Sequence, residues 1–113
     1  MEQCLFCKIV AGKIPASIVY RDESVVAFKD INPQAPVHLL VIPVGHVEKL
    51  TDKGASDGNM LSQVFSTIAK LAVDQGLEKG FRVVANCGDD AGQTVPHIHF
   101  HVLGKRRLNW PPG

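Results

Sequence analysis

No run in this 113-residue sequence is apolar for long enough to span a bilayer. Its opening, MEQCLFCKIVAGKIP, has neither a basic leader nor a long apolar core, so the expected location is cytoplasmic, with no membrane partner. An excess of charge of one sign is missing too. With 12 Lys and Arg against 11 Asp and Glu the formal net charge is +1, which leaves no electrostatic footprint for nucleic acid. Neither a P-loop nor a GxGxxG fingerprint occurs, and the usual triphosphate and dinucleotide architectures lose their support. Cysteine is scarce: Cys4, Cys7 and Cys87 form an odd set that does not suit a secreted disulfide framework. Cys4-Leu5-Phe6-Cys7 is a CxxC pair with no second CxxC to complete a zinc ribbon. It reads as half of a zinc site whose other ligands would be histidines, as a redox pair, or as chance spacing. Internal repeats, low-complexity tracts and linkers are also absent, so one domain over residues 1–113 is expected.

What is present reads as strands around one long helix. Phe6 to Gly12 forms a short helix that Gly12 stops and Pro15 keeps from continuing. Ile18 to Tyr20 and Val25 to Phe28 read as a hairpin across the polar turn Arg21 to Ser24. Asp30 to Pro36 is a turn-rich loop, and His38 to Pro43 a buried strand ended by its proline. Met60, Leu61, Val64, Phe65, Ile68, Leu71 and Ala72 recur at helical spacing, which predicts an amphipathic helix over Gly58 to Gln75 with Gly76 as its cap. Phe81 to Ala85 is a further strand. The expected class is α+β with a mainly antiparallel sheet.

Three of the five histidines fall on alternate residues of HIHFHVLG, His97 to Gly104. In a strand this alternation puts Ile98, Phe100 and Val102 on one face, and His97, His99 and His101 on the other, about 6.5 to 7 Å apart. Imidazoles are not what the exposed face of a strand needs, and a row of three protonates unfavourably. Three readings stand: solvated residues, a metal cluster on neutral imidazoles, or metal-free chemistry in which one ring attacks and its neighbours orient it or handle protons. The loop before it, Gly88 to Thr94, is either a plain turn or a phosphate cradle of backbone N–H groups with Gln93 and Thr94 as added donors.

HIHFHVLG resembles the His-φ-His-φ-His-φ-φ signature of the histidine triad (HIT) superfamily. CLFCKIVAGKIPA, VAFKDINPQAPVHLLVIP, the loop before the triad and the closing WPPG are similar to its nucleotide-binding, Hint branch, so the likeness covers Cys4 to Gly113. The resemblance implies a HIT-like fold: a five-stranded, mainly antiparallel sheet with one long and one short helix, the sheets of a homodimer joined into one. It implies a hydrolase for purine nucleoside phosphoramidates and acyl-adenylates, giving AMP or GMP without a catalytic cofactor. The alternative is a purine-nucleotide-binding regulatory protein with incidental hydrolysis.

By position, His99 would be the nucleophile that attacks the α-phosphorus, with its other nitrogen held by the carbonyl of His97. An imidazole with a reference pKa near 6.5 is largely neutral at pH 7 and attacks without an activating base. His101 would bind the phosphate oxygens, and His38 would support the triad. Phe6, Phe28 and Ile31 match the walls around the purine, Asp30 the carboxylate on the ribose, and Asn86, Gly92, Gln93 and Thr94 the phosphate contacts. Phe28 also alternates as an ordinary core residue does. In members with a CxxC the resemblance implies structural zinc, here on Cys4, Cys7, His46 and His97, with two buried thiols as the other reading. A lone terminal tryptophan most often packs on its own domain, whereas the resemblance implies Trp110 at the dimer interface; Lys105, Arg106 and Arg107 read either as attracting a leaving group or, more simply, as a solvated strand end.

Overall fold

The computed structural model describes residues 3–56 and 58–113. Helix α1 (Leu5–Val10) comes first, followed by β1 (Ile18–Arg21), β2 (Val25–Lys29), β3 (Val37–Pro43), α2 (Gly58–Asp74), β4 (Phe81–Val84) and β5 (Phe100–Gly104). The strands form one antiparallel sheet in the order β1-β2-β3-β5-β4. The class is α+β, as the pattern predicts. Among the described residues no helix is long and apolar enough to cross a membrane.

Both helices end on the predicted glycines, and for one reason. Gly12 and Gly76 have φ of 75° and 72°, the left-handed region where only glycine lacks a steric penalty. In each case the next residue's N–H reaches back to a helix carbonyl, Lys13 to Lys8 at 2.9 Å and Leu77 to Ala72 at 2.7 Å. The hairpin turn is set by Asp22, whose carboxylate accepts the N–H groups of Ser24 and Val25 at 2.7 and 2.8 Å.

The two faces of the sheet hold different cores. Val64, Ile68, Leu71 and Ala72 of α2 cover Val25, Ala27, Leu39, Val41, Phe100 and Val102. On the other face Cys4, Phe6 and Ile9 cover Val26, Phe28, Leu40 and Ile42. Period-two alternation places His38 on that second face, across from Leu103, and His101 there too, across from Leu40.

One expectation needs correction. The histidine strand starts at Phe100, not at His97. Extending the register of β3 and β5, in which Val41 faces Phe100, would bring Pro43 opposite Ile98. Proline has no N–H to continue the ladder, and the N–H of Ile98 turns instead to the carbonyl of Val47 at 2.7 Å. The alternation of faces survives this bend, because Ile98 still joins the α2 core. The histidine side is not a solvated face either: α1 lies over it, and His97 and His99 are 0% and 7% exposed.

Candidate functional site

Fixed main-chain donors and acceptors around the four histidines on the α1 face decide which ring nitrogen carries each hydrogen. A carbonyl only accepts, so His99 donates from Nδ1 to the carbonyl of His97 at 2.7 Å. That leaves Nε2 of neutral His99 with a lone pair. His97 donates from Nε2 to the carbonyl of Pro43 at 2.9 Å, which leaves its Nδ1 bare. The N–H of Gln34 donates to Nδ1 of His38 at 3.0 Å, so the hydrogen of His38 sits on Nε2. It is given to Nδ1 of His101 at 2.9 Å. Neutral His101 therefore carries its hydrogen on Nε2.

Asp30 closes this arrangement. Its Oδ1 accepts the N–H of Asn32 at 2.8 Å, while Oδ2 lies 3.4 Å from Nε2 of His38 and 3.9 Å from Nδ1 of His101. A further proton on the histidine pair has no place to go, since one nitrogen of His38 faces an N–H and the facing nitrogens already share a hydrogen. In keeping with that, burial first, and then His99 and His38, push the pKa of His101 down to about 4, against the pull of Asp30. Burial also lowers His38, and burial with His46 and His99 lowers His97. These directions favour the neutral form of His38, His97 and His101.

The rings are packed as well as bonded. Phe6 meets His99 edge-on with centroids 5.1 Å apart, Phe28 at 5.5 Å and His97 at 6.0 Å. One phenyl ring of α1 therefore touches the bare-nitrogen histidine, the histidine that holds it, and the apolar wall.

A second group of donors lies behind His97. The Sγ of Cys4 is 3.4 Å from Nδ1 of His97, the Sγ of Cys7 is 3.5 Å from the same nitrogen, and 3.3 Å from Nδ1 of His46. All four ligand atoms lie within 4.8 Å of one another. A tetrahedral zinc ion with bonds near 2.3 Å to sulfur and 2.0 Å to nitrogen sets such ligands about 3.5 Å apart. Nδ1 of His97 has its lone pair available because the Pro43 carbonyl holds the opposite hydrogen, the outer support expected of a metal-binding histidine. Burial, and then the adjacent Cys4, raise the Cys7 thiol, so a cation is what would make its sulfur a thiolate. The residues fit a structural zinc ion. Asp30, His38 and His101 also crowd together, but there the hydrogen of His38 points into the group where a metal needs a lone pair.

Residues 11–108 match the HIT domain family. The chain belongs to that family. As a HIT domain it is similar to a HIT family hydrolase from Legionella pneumophila Philadelphia 1, with a TM-score of 0.95 and 47% identity over 98% of this chain and 100% of that one. It is 45% identical to a 14 kDa zinc-binding protein of Zea mays, over 96% of this chain and 87% of that protein. A histidine triad nucleotide-binding protein from Candida albicans aligns with a TM-score of 0.82 and 30% identity, over 96% of this chain and 83% of that one.

Within this HIT domain the remaining expected residues fall in two groups. Phe6 and Phe28 are buried at the triad, and Ile31 stands fully exposed next to Asp30, an apolar side chain with nothing covering it. Gly92 has φ of 80°, and with the exposed Thr94 and half-buried Asn86 it belongs to the loop that leads into the triad. Gln93 is bonded inside the loop. Its Oε1 accepts the N–H of Gly88 at 3.0 Å, and its Nε2 donates to the carbonyls of Glu48 and Val95 at 2.7 and 3.1 Å. Both amide hydrogens are engaged, so the Gln93 side chain braces the segment that leads into the triad. Sequence reasoning missed the carbonyl of Pro43 and the N–H of Gln34, main-chain groups that leave no mark in a residue pattern.

Proposed function

We propose that this HIT domain is a hydrolase that cleaves the P–N bond of purine nucleoside phosphoramidates, or the corresponding acyl-phosphate bond of acyl-adenylates, to give AMP or GMP. The observation that carries this reading is the bare Nε2 of His99, fixed by its Nδ1 hydrogen bond to the His97 carbonyl and set beside His101, whose hydrogen is on Nε2. The name of the Legionella relative supports a hydrolase, and that of the Candida relative supports a nucleotide as ligand.

The lone pair of His99 attacks the α-phosphorus and the bond to the leaving group breaks with its electrons, an amine taking up a proton from solvent as it departs and an acyl group departing as its carboxylate. The covalent product is a nucleotidyl-His99, which water then hydrolyses. His97's carbonyl keeps the attacking ring oriented and stabilises its developing charge. Neutral His101 donates its Nε2 hydrogen to a phosphate oxygen, a donor set in place before charge develops. Phe6, Phe28 and Ile31 flank the purine, Asp30 takes the ribose hydroxyls, and Asn86, Gly92 and Thr94 line the phosphate.

Zinc on Cys4, Cys7, His46 and His97 is structural in this reading, supported by the maize relative's zinc binding and by the four-atom cluster. When bound it holds α1 and the triad segment together, and no step of the chemistry passes through it. The working form is a cytoplasmic homodimer. Trp110 at 82% exposure, together with exposed Phe65, Val73 and Phe81 on α2 and the edge strand β4, supplies apolar surface for the second subunit.

Steady-state assay of an adenosine phosphoramidate with wild type and His99→Ala tests the reading. It expects loss of turnover in the variant with AMP binding retained. Comparable turnover in the two proteins would exclude His99 as nucleophile.

A further inference from the structure

Arg106 follows β5 and is exposed, outside the residues that line the triad. Its guanidinium is nevertheless committed: Nε donates to the carbonyl of Gln34 at 2.9 Å, across 72 residues of sequence, and Nη1 to the carbonyl of Arg107 at 2.9 Å. Gln34 sits in the loop between β2 and β3. That loop braces itself at several points, with Asp30 N–H on the His38 carbonyl at 3.0 Å, Asn32 N–H on Asp30 at 2.8 Å, and the Gln34 side chain on the Asn32 carbonyl at 3.0 Å. The contact with Arg106 ties it to the end of β5.

The N–H of the same residue, Gln34, is the donor that decides where the hydrogen of His38 sits. From there the order is forced: His38 gives Nε2–H to Nδ1 of His101, and His101 keeps its hydrogen on Nε2. If the Gln34 segment moves off His38, the opposite tautomer opens to both rings beside the first: in it Nδ1 of His101 donates to His38 and Nε2 is a bare lone pair. A bare nitrogen facing a phosphate oxygen repels it.

We propose that Arg106 is a positioning residue of this site: by holding the Gln34 carbonyl it keeps that loop's N–H on His38, and so keeps the Nε2 hydrogen of His101 directed at the substrate phosphate. The phosphate rests on the function proposed above. The tautomer order does not, and the two fail separately.

The test uses Arg106→Met, which removes every donor, Arg106→Gln, whose Nε2 falls where the arginine Nε lies, and Arg106→Lys, which keeps the charge. Long-range 1H–15N correlation spectra of the substrate-free proteins report which ring nitrogens of His38 and His101 are protonated. The expected result is one tautomer in the wild type, a mixture in Arg106→Met, and recovery in Arg106→Gln. For an adenosine phosphoramidate kcat is expected to fall roughly three- to ten-fold in Arg106→Met with KM little changed, and to recover in Arg106→Gln. An unchanged single tautomer in Arg106→Met would overturn the proposal. So would recovery by Arg106→Lys but not by Arg106→Gln, since charge and not the hydrogen bond would then be what matters. If wild type shows the expected tautomers but does not turn over the substrate, the functional reading fails and the positioning role stands.

Discussion

His99 donates its Nδ1 hydrogen to the main-chain carbonyl of His97 at 2.7 Å, while the ring of that same His97 faces the sulfurs of Cys4 and Cys7 at 3.4 and 3.5 Å. One residue thus serves two sites, with its carbonyl on His99 and its imidazole in the metal-ready cluster. Anchoring that ring steadies the carbonyl, and the carbonyl steadies His99.

Zinc should therefore matter more for stability than for chemistry. At a hundredfold over its Kd the ion adds about 2.7 kcal/mol, a rise in Tm of roughly 10 °C for a domain of this size. Stripping it with a chelator should lower kcat by roughly ten-fold or less, because the carbonyl of His97 belongs to the main chain and stays in reach. Calorimetric melts and turnover on the same stripped sample check this. Abolished turnover in a sample that is still folded would place the ion in the reaction.

Acid should destabilise the protein through buried neutral histidines. His101 has a folded pKa of about 4 against about 6.5 in the unfolded chain, so between those values the unfolded state binds more protons. Stability from this group is complete above about pH 6.5 and is lost as pH falls to about 4, a decrease of about 3 kcal/mol. His38 and His97, also lowered, act with the same sign. Urea unfolding of wild type and His101→Gln from pH 4 to 7.5 should show a shallower decline in the variant. Parallel curves would contradict the assignment.

Much of this was legible because it rests on side-chain spacing. The 3.6-residue recurrence from Met60 to Ala72 marks α2, and Gly12 and Gly76 mark the helix ends that require positive φ. Alternation in HIHFHVLG assigns the faces correctly even though only Phe100–Gly104 is strand. What stayed hidden depends on main-chain groups brought together by the fold. Spacing cannot show that Pro43 ends the ladder opposite Ile98, that its carbonyl holds His97, or that a peptide N–H at Gln34 sets the hydrogen on His38. Nor can spacing show that Arg106, exposed at the strand end as expected, bonds a carbonyl 72 residues away.

The loop before the triad gives a third prediction. Gln93→Ala removes the partner of the half-buried Gly88 N–H and of the Val95 carbonyl, which should cost about 1–2 kcal/mol. Gln93→Glu keeps the acceptor for Gly88 and loses both donors, so it should fall between. Urea midpoints rank the three proteins. AMP affinity should follow loop stability and not the number of amide donors, and a large affinity loss at unchanged stability would return Gln93 to the phosphate.

The central claim is that the bare nitrogen of His99 becomes covalently nucleotidylated. A single-turnover reaction of an adenosine phosphoramidate with excess enzyme, denatured without acid and read by intact mass, tests it most directly. The account predicts an added adenylyl group on wild type during turnover and none on His99→Gly. Turnover without any adduct, with His99→Gly as active as wild type, would contradict it.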